Sequence, residues 1–472
     1  MRVDSRSSGS GLVESAERTV ASGPEHAHAQ ALQKTDFLGF LLAILAAFSM
    51  WYYVHGVLIP CQQADAARTG QPRGNQSDLY PAWLATHEFL LHGRNPYSAE
   101  VTRDIQRGYW GRTLDRPHDP KDQARFAYPL YVIFLLAPVA IGSFHAVRPV
   151  FAIVLALLTG LSVLLWTRAF GIRVRPVSIA IILLAMMGTF PVFQGLVLQQ
   201  LTLLVAALLA ASAAALAGGQ FAIAGALLAV ASIKPHLVFP VVLWLLVWSL
   251  TDWRKRRNFI FGFSAAMAVL LLASEIALPG WFAAWWNSLR AYIGYHESEP
   301  LLILYFGRFL GTLAEYALIA ATALVCWRSR REIAGSLRFG FALALLLTTV
   351  VLTTPVWHTY DQIFLLPAAI WIAFNWKRGM VFHSIGRLIY ILAALIVGGG
   401  SVAALALTCV SFWSPATALR WQVAPLAPVI FVPIAILFAL ILPGFNLNPA
   451  PTARQNDFVC DSESRHTDEE GE

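Results

Sequence analysis

The sequence predicts an all-α polytopic membrane protein, on three observations. Of 472 residues, 57% are hydrophobic and only 13% are charged, an apolar excess that soluble globular domains do not carry. Mean hydropathy is positive, at +0.60. Apolar runs near the roughly 20 residues that a bilayer-crossing helix requires recur from Phe37 to the Pro443 region.

Taken in order, residues 1–35 are polar, with Ser, Gly, His and mixed charge, and no apolar core precedes a small-residue cleavage site. They read as a disordered cytoplasmic tail rather than a cleaved signal peptide. The membrane domain is expected over 36–445, with candidate crossings at 37–60, 127–142, 147–169, 177–193, 198–217, 220–235, 237–250, 258–279, 306–327, 338–354, 360–376, 385–409 and 424–443. That gives about 12 transmembrane helices, within a range of about 11 to 13. Residues 446–472, ending in "DEEGE", read as a second disordered, solvated tail.

The net charge of +7 matters through its placement. Lys and Arg mark cytoplasmic loops, so "WRKRRN" at 253–258, "WRSRRE" at 327–332 and "WKRG" at 376–379 are put inside. Crossing out from the first cluster makes 280–305 an outer loop, and crossing out from the second delivers 353–362 to the same face. With the N-terminal tail inside, the long polar insert 61–125 is outside too, so Asp78 and Asp361 share a side.

Between 126 and 250 the parity fails, because counting every candidate as a crossing would leave "RKRR" outside. Either 220–250 is one long helix kinked at Pro235, or the segment 127–142 does not cross fully. The stretch "TRAFGIRVRP" at 167–176 would be inside on the second choice and outside on the first.

An ordered loop as long as 61–125 tends to carry function. On a helical wheel, Leu79, Trp83 and Leu90 share a face that Leu84 and Leu91 widen, while Glu88 and His92 point away. This pattern predicts an amphipathic helix lying in the bilayer interface, and "IQRGYWGR" at 105–112 is a second such element. Asp78 precedes the first helix where an Asp commonly caps the opening turn, so a cap is its simplest reading. His87, Glu88, His92 and Arg94 read as the solvated face of that helix.

In the second outer loop, "LPGWFAAWWNSLRAYIGYHESEP" at 278–300 mixes interfacial tryptophans, which read as anchors, with Arg290, His296 and Glu297. Lys234 in "ASIKPHLVF" and Arg308 in "YFGRFLG" fall near membrane segments, where a charge normally faces a cavity and has a partner. Cys61, Cys326, Cys409 and Cys460 are scattered, with no CxxC and no His at ligand spacing, and neither a zinc site nor a disulfide is read from them. No metal, no cofactor and no nucleic-acid partner are expected.

Four stretches taken together resemble glycosyltransferase family 87, membrane enzymes of the GT-C type that use polyprenyl-phosphate sugars. They are "SDLYPAWLATHEFLLHGRNPYS" at 77–98, "FAYPLYVIFLLAP" at 126–138, "AGALLAVASIKPHLVFPVVLWLLVWSLTDWRKRR" at 224–257 and "TTPVWHTYDQIFLLP" at 353–367. Departures are Leu130 for the second proline of a Tyr-Pro-Pro stretch, "QGLVLQQLT" at 194–202 for a Gly-Gln-x-Asn motif, and Thr354 for a Ser before Pro355.

The resemblance implies transfer of a hexose, with mannose favoured, from a polyprenyl-phosphate donor to a glycolipid or glycan acceptor. Asp78 is then the general base of an inverting displacement at the extracytoplasmic face of a bacterial plasma membrane. His358 matches the family's His and is the first candidate for the donor phosphate, followed by Lys234, Arg290, His296 and Arg308. Asp361 and Glu88 are alternative bases, or metal ligands if a divalent ion takes part, and Tyr80 and Tyr97 are candidates to stack on sugar. The competing reading is a transporter or flippase of lipid-linked sugars, against which no inverted repeat shows in the hydropathy.

Overall fold

The computed structural model describes residues 24–116, 118–295, 299–355, 358–379 and 383–444. Its regular structure is helical, with no strand among the described residues. The first apolar run forms α1 (Pro24–Tyr52), a π-helical turn (Tyr53–Leu58) and α2 (Ile59–Thr69) in succession. The expected tail boundary at 36 thus falls inside α1, and residues 1–23 and 445–472 lie outside the described residues.

The outer insert contributes α3 (Leu79–His92) and α4 (Ala99–Trp110). The chain continues through α5 (Val132–Ala140), α6 (Phe144–Ala169), α7 (Pro176–Met187), α8 (Phe190–Val197), α9 (Leu201–Ala217), α10 (Phe221–Ala231), α11 (Pro235–Leu250) and α12 (Trp253–Ala277). Then come α13 (Trp281–Tyr295), α14 (Leu301–Arg328), α15 (Leu337–Thr353), a 3-10 helix (Thr359–Leu365), α16 (Leu366–Gly379), α17 (His383–Trp413), α18 (Pro415–Arg420) and α19 (Ala427–Gly444).

Among the described residues, six helices are long and apolar enough to cross a membrane, or seven if the pair α7 and α8, bent by 70°, is one span. Length and apolarity therefore select fewer spans than the expected number, because Pro, Gly and polar residues cut the other apolar runs into shorter helices, among them α9, α10, α11 and α15.

Small residues let two of these helices touch backbone to backbone. A Cβ on Gly225 would lie 2.2 Å from the Phe259 carbonyl oxygen, and one on Gly262 would lie 2.1 Å from that of Ala222. The α10–α12 crossing thus requires glycine from both sides.

The basic clusters at 253–258 and 327–332 converge at one end of the bundle. Arg256 is buried and donates to the carbonyls of Trp248 (2.9 Å), Arg330 (3.0 Å) and Glu332 (2.9 Å), with its guanidinium 3.9 Å from the Trp248 ring. Gly335, just after the second cluster, lies against the end of α6, since its Cβ would sit 3.5 Å from the Ala169 carbonyl. The stretch 167–176 is therefore at the same end as Arg256. Segment α5 has nine residues, a rise of about 14 Å, too short for a roughly 30 Å hydrocarbon core. Both facts favour the second resolution of the parity problem, in which 127–142 does not cross.

One expectation is corrected. The Leu79/Trp83 face of α3 is covered by protein rather than by lipid, with Leu79 fully buried and Trp83 packed in the main core against Phe144. Leu90 and Leu91 remain exposed. In α4, a Cβ on Gly108 would collide with the Tyr80 hydroxyl, so glycine lets the two outer helices close on each other. Arg112 hydrogen-bonds Asp119 and thereby holds that carboxyl well below the usual carboxylate range, ordering the turn after α4.

Candidate functional site

At the end of the bundle opposite Arg256, four polar segments meet. α11 runs from Pro235 at this end to Leu250 at the basic end, and α15 runs back from Leu337 to Thr353. The break before α11 presents Lys234, and Tyr131 fixes that break by reaching the Ser232 carbonyl at 2.9 Å. The break before α9 presents Gln200. There Gln199 adopts a left-handed backbone (φ 51°), unusual for a residue with a side chain, and turns the chain from α8 into α9.

The buried side chains form a relay. Gln200 Nε2 donates to Asp78 Oδ2 at 2.5 Å, and Gln200 Oε1 accepts from Lys234 Nζ at 3.0 Å. Lys234 also donates to Thr202 Oγ1 at 2.6 Å, and Thr202 donates to Asp361 Oδ1 at 3.1 Å. One neutral side chain thus stands between the ammonium and each carboxylate. Lys234 is 8% exposed and Asp361 2% exposed, so both charges depend on these partners rather than on water.

The remaining oxygen of Asp361 accepts from the His358 backbone at 3.1 Å, closing a capping box at the start of the 3-10 helix. The His358 ring stacks on Tyr360 at 4.9 Å, and Lys234 lies 5.3 Å from that same ring. Thr359 hydrogen-bonds Gln194, tying the 3-10 helix to α8.

Two buried phenols of the outer segments lie within electrostatic reach of the carboxylates. Burial pushes Tyr128 upward in pKa, with Tyr292, Asp78 and Asp361 adding to it. Burial raises Tyr292 as well, helped by Asp122, Asp78 and Asp361. Both therefore stay protonated near neutral pH and are available as hydrogen-bond donors. Helix α13 is docked to bring Tyr292 there, since Trp285 donates to the Ala127 carbonyl at 3.1 Å and Ser288 to that of Phe126 at 2.7 Å.

Residues 126–355 match the sequence model of glycosyltransferase family 87. Over that stretch, 230 of its 472 residues, the chain is of family 87. It is a membrane glycosyltransferase, acting between a sugar donor and an acceptor in a lipid environment. No curated protein and no solved structure matches it.

Of the residues singled out in this family 87 protein, the fold gathers Asp78, Lys234, His358 and Asp361. Asp78 stands at the N-cap position of α3, yet its side chain makes no capping bond. It is turned to Gln200 instead, which corrects the simple cap reading. Tyr97 donates to the Tyr128 carbonyl at 2.8 Å and so supports the site from behind. Tyr80 packs between Phe144 and Tyr109 in the outer insert.

Arg290 is exposed beside Asn287 and Trp286, and Arg308 is exposed and paired with Glu299 at 2.9 Å, so neither joins the relay. His296 lies outside the described residues. The sequence reading passed over Gln200, Thr202, Tyr128 and Tyr292. His236, also passed over, lies within electrostatic reach of Lys234, Asp361 and His358. The only signal for Gln200 and Thr202 was the imperfect motif at 194–202.

Proposed function

We propose that this protein transfers a hexose, mannose first among candidates, from a polyprenyl-phosphate donor to a glycolipid or glycan acceptor. The reaction takes place at the extracytoplasmic face of a bacterial plasma membrane, in a GT-C type fold of about 12 traverses. The observation that carries this reading is the relay from Asp78 through Gln200, Lys234 and Thr202 to Asp361. It joins a carboxylate base to a buried cation at the end of the bundle opposite the basic clusters, the end that charge asymmetry assigns to the outside.

The acceptor hydroxyl gives its proton to the Asp78 carboxylate while its oxygen attacks the anomeric carbon from the face opposite the phosphate. The bond from that carbon to the phosphate oxygen breaks, and polyprenyl phosphate departs with the electron pair. The sugar is left inverted on the acceptor. Negative charge grows on the departing phosphate, where Lys234 and His358 are the cationic and hydrogen-bonding partners. An apolar cleft of about 360 Å³ between α11, α14 and α15, lined by Pro240, Leu243, Trp244, Ile319, Thr349 and Thr353, suits a prenyl chain.

The test is a membrane assay with a panel of labelled polyprenyl-phosphate sugars and lipid extract from the native host. Asp78→Asn keeps shape and hydrogen bonding but removes the base, and turnover is expected to fall by about 10²- to 10⁴-fold at normal expression. Wild-type turnover in that variant would overturn the role of Asp78. Passage of unaltered lipid-linked sugar across vesicles without chemical turnover would overturn the transferase reading in favour of transport.

A further inference from the structure

A second group of chemistry-bearing side chains lies away from the relay, at the C-terminal end of α3. His87, Glu88 and His92 each present a ligand-type atom there, and these atoms all lie within 4.8 Å of one another. Asp78 is at the other end of the same helix. At about 1.5 Å rise per residue the cluster is roughly 14 to 21 Å from it along the helix, too far to touch the reacting atoms.

The side chains are prepared for a cation in three ways. His87 Nδ1 lies 2.8 Å from the Ala140 carbonyl. A carbonyl only accepts, so Nδ1 carries the proton and Nε2 offers its lone pair, the outer support that metal-binding histidines commonly have. The His87 ring is also held, stacked on Trp83 at 5.2 Å and edge-on to His92 at 5.8 Å. Finally, His92 Nδ1 stands 3.1 Å from Glu88 Oε2, close to the roughly 3.3 Å between neighbouring ligands around a tetrahedral zinc with 2.0–2.1 Å bonds.

We infer that His87, Glu88 and His92 form a binding site for one divalent cation of the zinc type. Two imidazoles and one carboxylate favour zinc over magnesium or calcium, which prefer all-oxygen shells. A fourth position remains for water. Arg94 is the built-in competitor, with Nη1 2.9 Å from Glu88 Oε2 and 2.8 Å from Asp104 Oδ2. When the cation binds, Glu88 turns to it and Arg94 keeps Asp104. The cation then fastens the last turn of α3, and with it the outer insert, without entering the transfer chemistry.

The experiment uses the full chain in detergent, stripped with EDTA and carrying His26→Ala and His28→Ala to remove a competing histidine pair, and His466→Ala to remove the histidine of the C-terminal tail. Zinc is titrated against a chromophoric chelator, with magnesium in parallel. One zinc equivalent is expected, with at least tenfold weaker binding in His92→Ala and in Glu88→Gln. Arg94→Gln is expected to bind at least threefold tighter. Zinc should raise the thermal midpoint of the parent and leave that of His92→Ala unmoved. Unchanged zinc affinity in both ligand variants, or no tightening in Arg94→Gln, would overturn the site. Magnesium binding as tight as zinc would overturn its zinc character.

Discussion

Two buried cations mark the two ends of this helix bundle, and they are satisfied in opposite ways. Arg256 is surrounded by backbone carbonyls from Trp248, Arg330 and Glu332 and stacks on an indole. Lys234 is held by the side chains of Gln200 and Thr202, each of which also reaches a carboxylate. Backbone carbonyls belong to the fold and cannot leave when a ligand arrives, so Arg256 is a structural rivet. Side-chain partners can rotate, so Lys234 can exchange a neutral partner for an incoming anion. The arginine fits its task because its planar donors engage several carbonyls at once, while the compact ammonium is easier to hand over.

The widest separation between the two ends should come from Lys234→Gln. Loss of a cation beside a departing phosphate is expected to lower turnover by about 100-fold or more, with the protein still extracted and folded. Turnover within a few fold of the parent would remove Lys234 from the chemistry and make the two cations alike.

Arg256→Ala should do the reverse. The carbonyls it serves lose their donor, which costs up to about 3 kcal/mol, read as a lower thermal midpoint in detergent. Turnover per folded molecule should stay within about threefold of the parent, as for a change remote from the reacting groups. A loss of turnover without a loss of stability would mean that the basic end takes part in catalysis.

The smallest of the three effects sharpens the comparison from the side of packing. Gly262→Ala pushes a Cβ against the Ala222 carbonyl and should cost about 1–2 kcal/mol, again as thermal stability. Because α10 leads directly to the break that carries Lys234, a modest fall in turnover should accompany it. Unchanged stability would show that the α10–α12 crossing can relax.

Much of the architecture was legible from composition and periodicity. Nearly every apolar run in the sequence became a helix, and the charge clusters pointed to one end, which Arg256 and Gly335 bring together in space. Lys234 and Asp361 stood out as ionisable groups in an apolar chain, and Asp78 and His358 were singled out by the resemblance to family 87. Gln200 and Thr202 were not, because a glutamine or threonine in an apolar window carries no signal until its neighbours are known. The helical wheel of α3 revealed an apolar face at Leu79 and Trp83, but the same pattern serves a helix against lipid and a helix against protein.

The sequence by itself determined the solvent this chain lives in, its all-helical build and the charges that such a solvent tolerates only for a purpose. Those follow from local quantities: the length of an apolar run, its breaks and the placement of Lys and Arg. Tertiary structure alone decided that Asp78 faces Gln200 rather than its own helix, that Arg290 and Arg308 stand apart, and that 127–142 stops short of a crossing. These outcomes depend on which segment ends meet across hundreds of residues, and a buried hydrogen bond is only as strong as the geometry that such a meeting provides.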